Sequence, residues 1–273
     1  QLETLRRFES LADWQRWLDT PGPWVGGFDF PFGLPRDFVD ALGWARPAAS
    51  EDLATSEEAI ASRGLVIAGG DSTQTPDSPW SRVTRRLARL PRADLVAACR
   101  AWCDAHPPGN KFAHRKTDRI AGSSSSMKWV NPPVVFMLQV GAPALLQAGV
   151  TLPGLHTALT DPARIALEAY PGRTARALIG RASYKSDDPG RRHCEQRRAA
   201  RRQIIEALAA GSAPFSIPVD LGQWAQPCLD DAGADLLDAV LCLTQAHQAW
   251  QARANDWGLP LAVDPVEGWI LGQ

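Results

Sequence analysis

The chain has 273 residues, with 29 Lys and Arg against 30 Asp and Glu, and 45% of it is apolar. That length buries a full core without disulfide or metal staples, and a net charge of -1 gives no overall attraction to nucleic acid or membranes. No stretch approaches the roughly 18 consecutive apolar residues of a membrane span, and the polar start QLETLRR lacks a signal-peptide core, so a cytoplasmic protein with no membrane partner is expected.

In chain order, Leu2, Leu5, Phe8, Leu11, Trp14 and Leu18 recur at spacings of three and four and predict an amphipathic helix over 2–18, stopped by Pro21-Gly22-Pro23. Residues 24–30 read as a short buried strand with Asp29 near its carboxyl end. Residues 46–80 are rich in Ser, Thr, Asp, Gly and Pro and read as a polar surface excursion, with one helix at 52–62 and an apolar run at 64–68. Helices follow over 80–105, broken at Pro91, and then a long loop over 106–131. Asn131 caps a helix through VVFMLQV that Gly141 and Pro143 are expected to break before a second segment at 144–148. Residues 164–171 give a second buried strand with Glu168 close to its end, then helices at 172–180, 191–210 and 232–252, and a short last element at 266–271. Nothing repeats at a period of 20–50 residues, which excludes a solenoid or propeller. One α/β domain over 1–273 is the expectation.

The balanced charge hides segregation. Residues 173–202 hold ten basic side chains against three acidic ones, whereas from Asp220 onward eight acidic residues face one Arg. Phosphate binding and the solvated face of a helix both account for the Arg-rich stretch. The five cysteines are odd in number, with no C-x-x-C, so reduced thiols are expected rather than a disulfide frame or zinc site.

Asp29 and Glu168 both stand at strand ends, where open α/β sheets bind ligands. Asp235 and Asp238 lie three residues apart beside an apolar helical run. Acidic residues at a helix start also satisfy the helix dipole, which suffices for Asp230 and Asp231. Carboxylates gathered in one place repel one another and call for hard cations, Mg²⁺ or Mn²⁺. Such ions activate water for phosphodiester cleavage.

The segments GFDFPFGLP (27–35), KFAHRKTD (111–118), SSMKWVNPP (125–133), ALEAYPGRTARALIG with SYKSDDPG (166–190), DLLDAVLC (235–242) and EGWI (267–270) resemble a bacterial domain-of-unknown-function family. Its members are described as predicted RNase H-like nucleases, distant relatives of Holliday-junction resolvases. The resemblance runs through most of the chain in order and includes D-x-x-D-A in the last helix. It implies an RNase H-like mixed sheet flanked by helices, with added helices, and a metal-dependent nuclease whose catalytic ligands are Asp29, Glu168, Asp235 and Asp238. The family's fold opens with a strand hairpin that carries a further aspartate. This chain starts at Gln1, at the helix after it, so a missing or processed N-terminus is expected and that ligand with it.

His114, Arg115 and Lys116 are candidates for holding a phosphate, as are Tyr184, by stacking on a base, and Lys185, by neutralising charge. Ordinary polar turns account for the same residues. Ser123–Ser126 beside Gly122 read as an anion-binding backbone nest or a flexible loop. The function expected is a divalent-metal-dependent nuclease or phosphodiesterase acting on nucleic acid. The alternatives are a noncatalytic nucleic-acid or partner-binding module, and a hydrolase of a small phosphorylated substrate.

Overall fold

The structure is a computed structural model that describes residues 1–47, 77–186, 188–212, 214 and 217–272. Most of the excursion expected at 46–80, with its helix and apolar run, lies outside the described residues. The first helix is shorter than its periodicity predicts. Helix α1 spans Leu11–Leu18, because the Ser10 hydroxyl accepts the Asp13 N–H and caps it there. Residues 1–10 instead run across the protein. The Leu2 N–H donates to the Asp220 carbonyl at 2.7 Å, and Leu2 and Leu5 pack on a distant core, so their apolar spacing serves burial without a helix.

Strand β1 (Trp24–Phe28) is followed by helix α2 (Arg36–Ala41), and helices α3 (Pro79–Arg89) and α4 (Arg92–Asp104) meet at the expected break. The stretch expected as a loop over 106–131 holds helix α5 (Lys116–Ala121), which Gly122 closes in the left-handed conformation at φ 64°. At its Ser-rich end Ser123 and Ser124 are half-buried and Ser125 and Ser126 buried. Helix α6 (Val134–Gln147) continues through Gly141 and Pro143. Gly141 is there for contact: a Cβ would collide with the Phe30 ring.

Strand β2 (Arg164–Glu168) leads into helices α7 (Pro171–Ile179), α8 (Pro189–Arg192), α9 (Glu195–Ala209), α10 (Ala225–Asp230) and α11 (Asp235–Gln251). The architecture is mixed α/β, as predicted. Its sheet is small, with β1 and β2 paired in parallel so that Trp24 faces Arg164 and Phe28 faces Glu168. Thr151 and Ile270 add single parallel bridges beyond β2, and the second of these is what the last predicted element becomes. On its other edge β1 pairs with no strand among the described residues.

One core lies among α2, α3, α4 and α6 and holds Phe38, Trp80, Leu95 and Leu145; a second, with Ile204, Leu208, Leu237 and Leu241, joins α9 and α11. Helix α11 packs directly on β1. Gly27 permits this approach, because a Cβ there would overlap the Cys242 carbonyl oxygen.

A buried charge network ties β2 to α5 and the C-terminal segment. Arg115 is 1% exposed and donates to both Glu168 oxygens, at 2.7 and 2.6 Å, to Asp118 at 2.7 Å and to the Glu267 carbonyl at 2.9 Å. Glu168 also accepts the Phe32 N–H at 3.0 Å. Removing one member of such a set leaves an unpaired charge in the interior. Arg115→Met is therefore expected to lower unfolding stability by about 3–5 kcal/mol, read as a shift in urea midpoint. Arg115→Lys is expected to recover only part of this, because an ammonium cannot reproduce the planar fork.

Candidate functional site

Asp29 directly follows β1 and Asp235 and Asp238 occupy the first turn of α11, so the packing of that helix on β1 brings the three carboxylates to one groove. The groove has a volume of about 740 Å³ and runs past Gly27. Its other wall is mostly apolar, formed by Trp14 of α1 and by Phe136 and Met137 of α6, with the Arg92 guanidinium of α4 over the Phe136 ring at 3.5 Å. Met137 is 49% exposed there and Val140, one turn on, 41%.

The three carboxylates differ in their partners. Asp238 is buried; it accepts the Tyr184 hydroxyl at 2.7 Å on one oxygen and the Lys185 ammonium at 2.5 Å on the other. Asp235 is exposed and pairs with Arg7 at 3.2 Å. Asp29 makes no hydrogen bond or ion pair among the described residues. Burial, then repulsion by Asp238, pushes its carboxyl up from 3.8 to about 7, against the pull of Lys185. Burial also raises Asp238, opposed by Lys185. Cys242, beneath the pair, is a buried thiol raised well above its ordinary value by burial and then by Asp29 and Asp238.

Glu168 does not join the groove. It is near enough to raise Asp29 further, but Arg115 engages both of its oxygens, so its position at a strand end serves the interior network. Arg115, expected on a phosphate, is the cation of that network: burial lowers its pKa, and Glu168 and Asp118 more than offset this, raising it overall. His114 is half-buried, with Nδ1 2.9 Å from the Phe112 carbonyl oxygen, and the exposed Lys116 sends its backbone N–H to Glu267 at 3.0 Å. None of these three lines the groove. Tyr184 and Lys185 do reach the carboxylates, and there they hold Asp238.

The Arg-rich stretch is partly structural. Arg201 is buried and donates to the Leu229 and Tyr184 carbonyls, each at 2.9 Å, Arg197 donates to the Lys185 carbonyl, and Arg198 pairs with Asp230 at 2.7 Å. Asp231 accepts the Leu236 N–H at 2.9 Å, the helix-start role expected of it, whereas Asp230 ends α10. Sequence reasoning missed Arg7 and the apolar wall. Arg7 lies 224 residues from Asp231, which it meets at 2.7 Å, and no local pattern marks that contact. The surplus of large apolar residues in VVFMLQV was the one signal for the wall.

No protein-family model, no curated protein and no solved structure matches the chain.

A second displaced group lies outside the groove. His156 is 4% exposed against Trp80, and neither ring nitrogen has a hydrogen-bond partner among the described residues. Burial, then Arg85, pushes its pKa down from 6.5 to about 4. Between these values the unfolded chain binds the extra proton on His156, so that group's contribution to stability falls as pH drops. For Asp29 the folded chain binds the extra proton between 3.8 and about 7, so its contribution falls as pH rises. Each slope is at most about 1.4 kcal/mol per pH unit, and the two oppose each other. Urea unfolding between about pH 4.5 and 6.5 is expected to show stability climbing with pH in Asp29→Asn and falling with pH in His156→Leu, each relative to wild type.

Proposed function

We propose that this chain is an RNase H-like domain that hydrolyses phosphodiester bonds of nucleic acid with a divalent cation, Mg²⁺ or Mn²⁺. The observation that carries the reading is the meeting of Asp29, at the carboxyl end of β1, with Asp235 and Asp238, from the first turn of α11, on one groove. The order of elements and the D-x-x-D-A segment of α11 support it.

The donor chemistry fits a hard cation. All three groups offer oxygen, Asp29 is uncommitted among the described residues, and Mg²⁺ is commonly held by one or two carboxylates, with water and phosphate completing its shell. Among the described residues no three His, Cys, Asp or Glu side chains form a ready cluster. Asp29 and Asp238 would therefore hold the ion, with Asp235 at the rim and Glu168 outside the set. When bound, the ion supplies the Lewis acidity that activates water and offsets phosphate charge. Tyr184 fixes the orientation of Asp238, and Lys185 brings a positive charge for the phosphate.

A second reading, a noncatalytic nucleic-acid or partner-binding module, is favoured by one feature. Asp235, Asp238 and Glu168 each already have a cationic partner in Arg7, Lys185 and Arg115. Cleavage assays on single- and double-stranded RNA and DNA separate the two. The expected outcome is cleavage that requires Mg²⁺ or Mn²⁺, stops with chelator and falls by about 100-fold or more in Asp29→Asn and Asp238→Asn, as when a group stabilising developing charge is lost. Binding without turnover on every substrate would favour the module, and cleavage that survives both substitutions would remove the proposed site.

A further inference from the structure

We infer that Lys185 is the resident cation of the carboxylate site, holding Asp238 until a divalent ion displaces its ammonium toward the groove, where it meets the substrate's phosphate. This rests on the metal-dependent reading above and adds how the site is filled and emptied.

The geometry separates what can move from what cannot. The Tyr184 carbonyl accepts from Arg201 at 2.9 Å, and the Lys185 carbonyl accepts from Arg197 at 3.1 Å and from the Ser183 hydroxyl at 2.8 Å. The backbone of this segment is thereby fixed to α9, and Tyr184 is buried. The Lys185 side chain is different: it is 37% exposed, and its flexible four-carbon stem can carry the charge from the interior to solvent. Among the groups around its ammonium are Asp29 beyond β1, Asp238 and the Cys242 thiol of α11, and the phenol of Tyr184. The two carboxylates are also the pair that offers oxygens to a hard cation.

An ammonium 2.5 Å from one Asp238 oxygen and a divalent ion on that same oxygen compete, because the two positive charges repel at so short a separation. The Tyr184 hydrogen bond lies on the other oxygen, so Asp238 stays oriented when Lys185 leaves. Two consequences follow for binding. Lys185 weakens the cation's affinity in the absence of substrate. A phosphate that takes up the released ammonium strengthens it, and by reciprocity the cation strengthens phosphate binding.

The test is titration of the intact protein with Mn²⁺ alone, followed by electron paramagnetic resonance and calorimetry, with thermal unfolding as a check on folding. Removing the competing charge in Lys185→Met is expected to tighten Mn²⁺ binding by about tenfold, a modest share of the attraction between close unit charges. Lys185→Gln, which keeps a hydrogen-bond donor for Asp238, is expected to tighten it likewise, and Lys185→Arg to leave it near wild type. Asp238→Asn is expected to weaken binding with or without Lys185. If wild type binds Mn²⁺ and both neutral variants bind it equally or more weakly, the displacement idea is overturned while the metal site stands. If neither wild type nor these variants bind Mn²⁺, the metal reading fails and this inference fails with it.

Discussion

The bidentate pair between Arg115 and Glu168 is the contact on which the rest of the structure depends. It joins the carboxyl end of β2 to α5, and through the Glu267 carbonyl it reaches the C-terminal segment. Around it, backbone groups find partners that local structure does not supply: the Phe32 N–H on Glu168, the Arg36 and Lys116 N–H groups on Glu267, and the Ile270 N–H on Thr117. Two buried charges cost several kcal/mol each to desolvate, so such a pair persists only when the remaining donors and acceptors are satisfied. Here they are, and the sheet end is held in place.

With that end fixed, the groove follows from close approach. Gly27 lets the backbone of α11 settle on β1, and the first turn of the helix then carries Asp235 and Asp238 to the residue that leaves the strand, Asp29. Gly141 does the same on the opposite wall by making room for the Phe30 ring. Neither glycine has positive φ; each is needed for space, since a Cβ would meet Cys242 or Phe30. The electrostatic character of the site comes from this packing too. Burial beside a second carboxylate lifts Asp29, and the clamped 183–186 segment delivers a phenol and an ammonium to Asp238.

Much of the fold was legible because it rests on local rules. Short apolar runs ended by Pro and Gly gave both strands, Pro91 divided two helices, and the apolar run after Asp238 gave the docking face of α11. The readings that changed share another cause. Leu2 and Leu5 have helical spacing, yet a cap at Ser10 and a distant core decide their conformation. Gly141 and Pro143 look like breakers, but tertiary contact carries α6 through them. Residues 115–121 are polar enough to pass for loop, and become helix because Arg115 and Asp118 are buried together.

The sequence by itself determined the α/β character, the carboxylates at the ends of strands and on the last helix, and the basic segment over 173–202, because hydrophobic period, turn residues and charge runs are properties of neighbours along the chain. Only the tertiary structure decided which carboxylate belongs to the groove. Asp29 and Glu168 look alike in sequence, each at the end of an apolar strand before a proline. One opens onto the groove with no hydrogen-bond or ion-pair partner among the described residues, and the other is enclosed by a guanidinium 53 residues away. Partners at such separations are set by how strands and helices pack, and no local pattern records them.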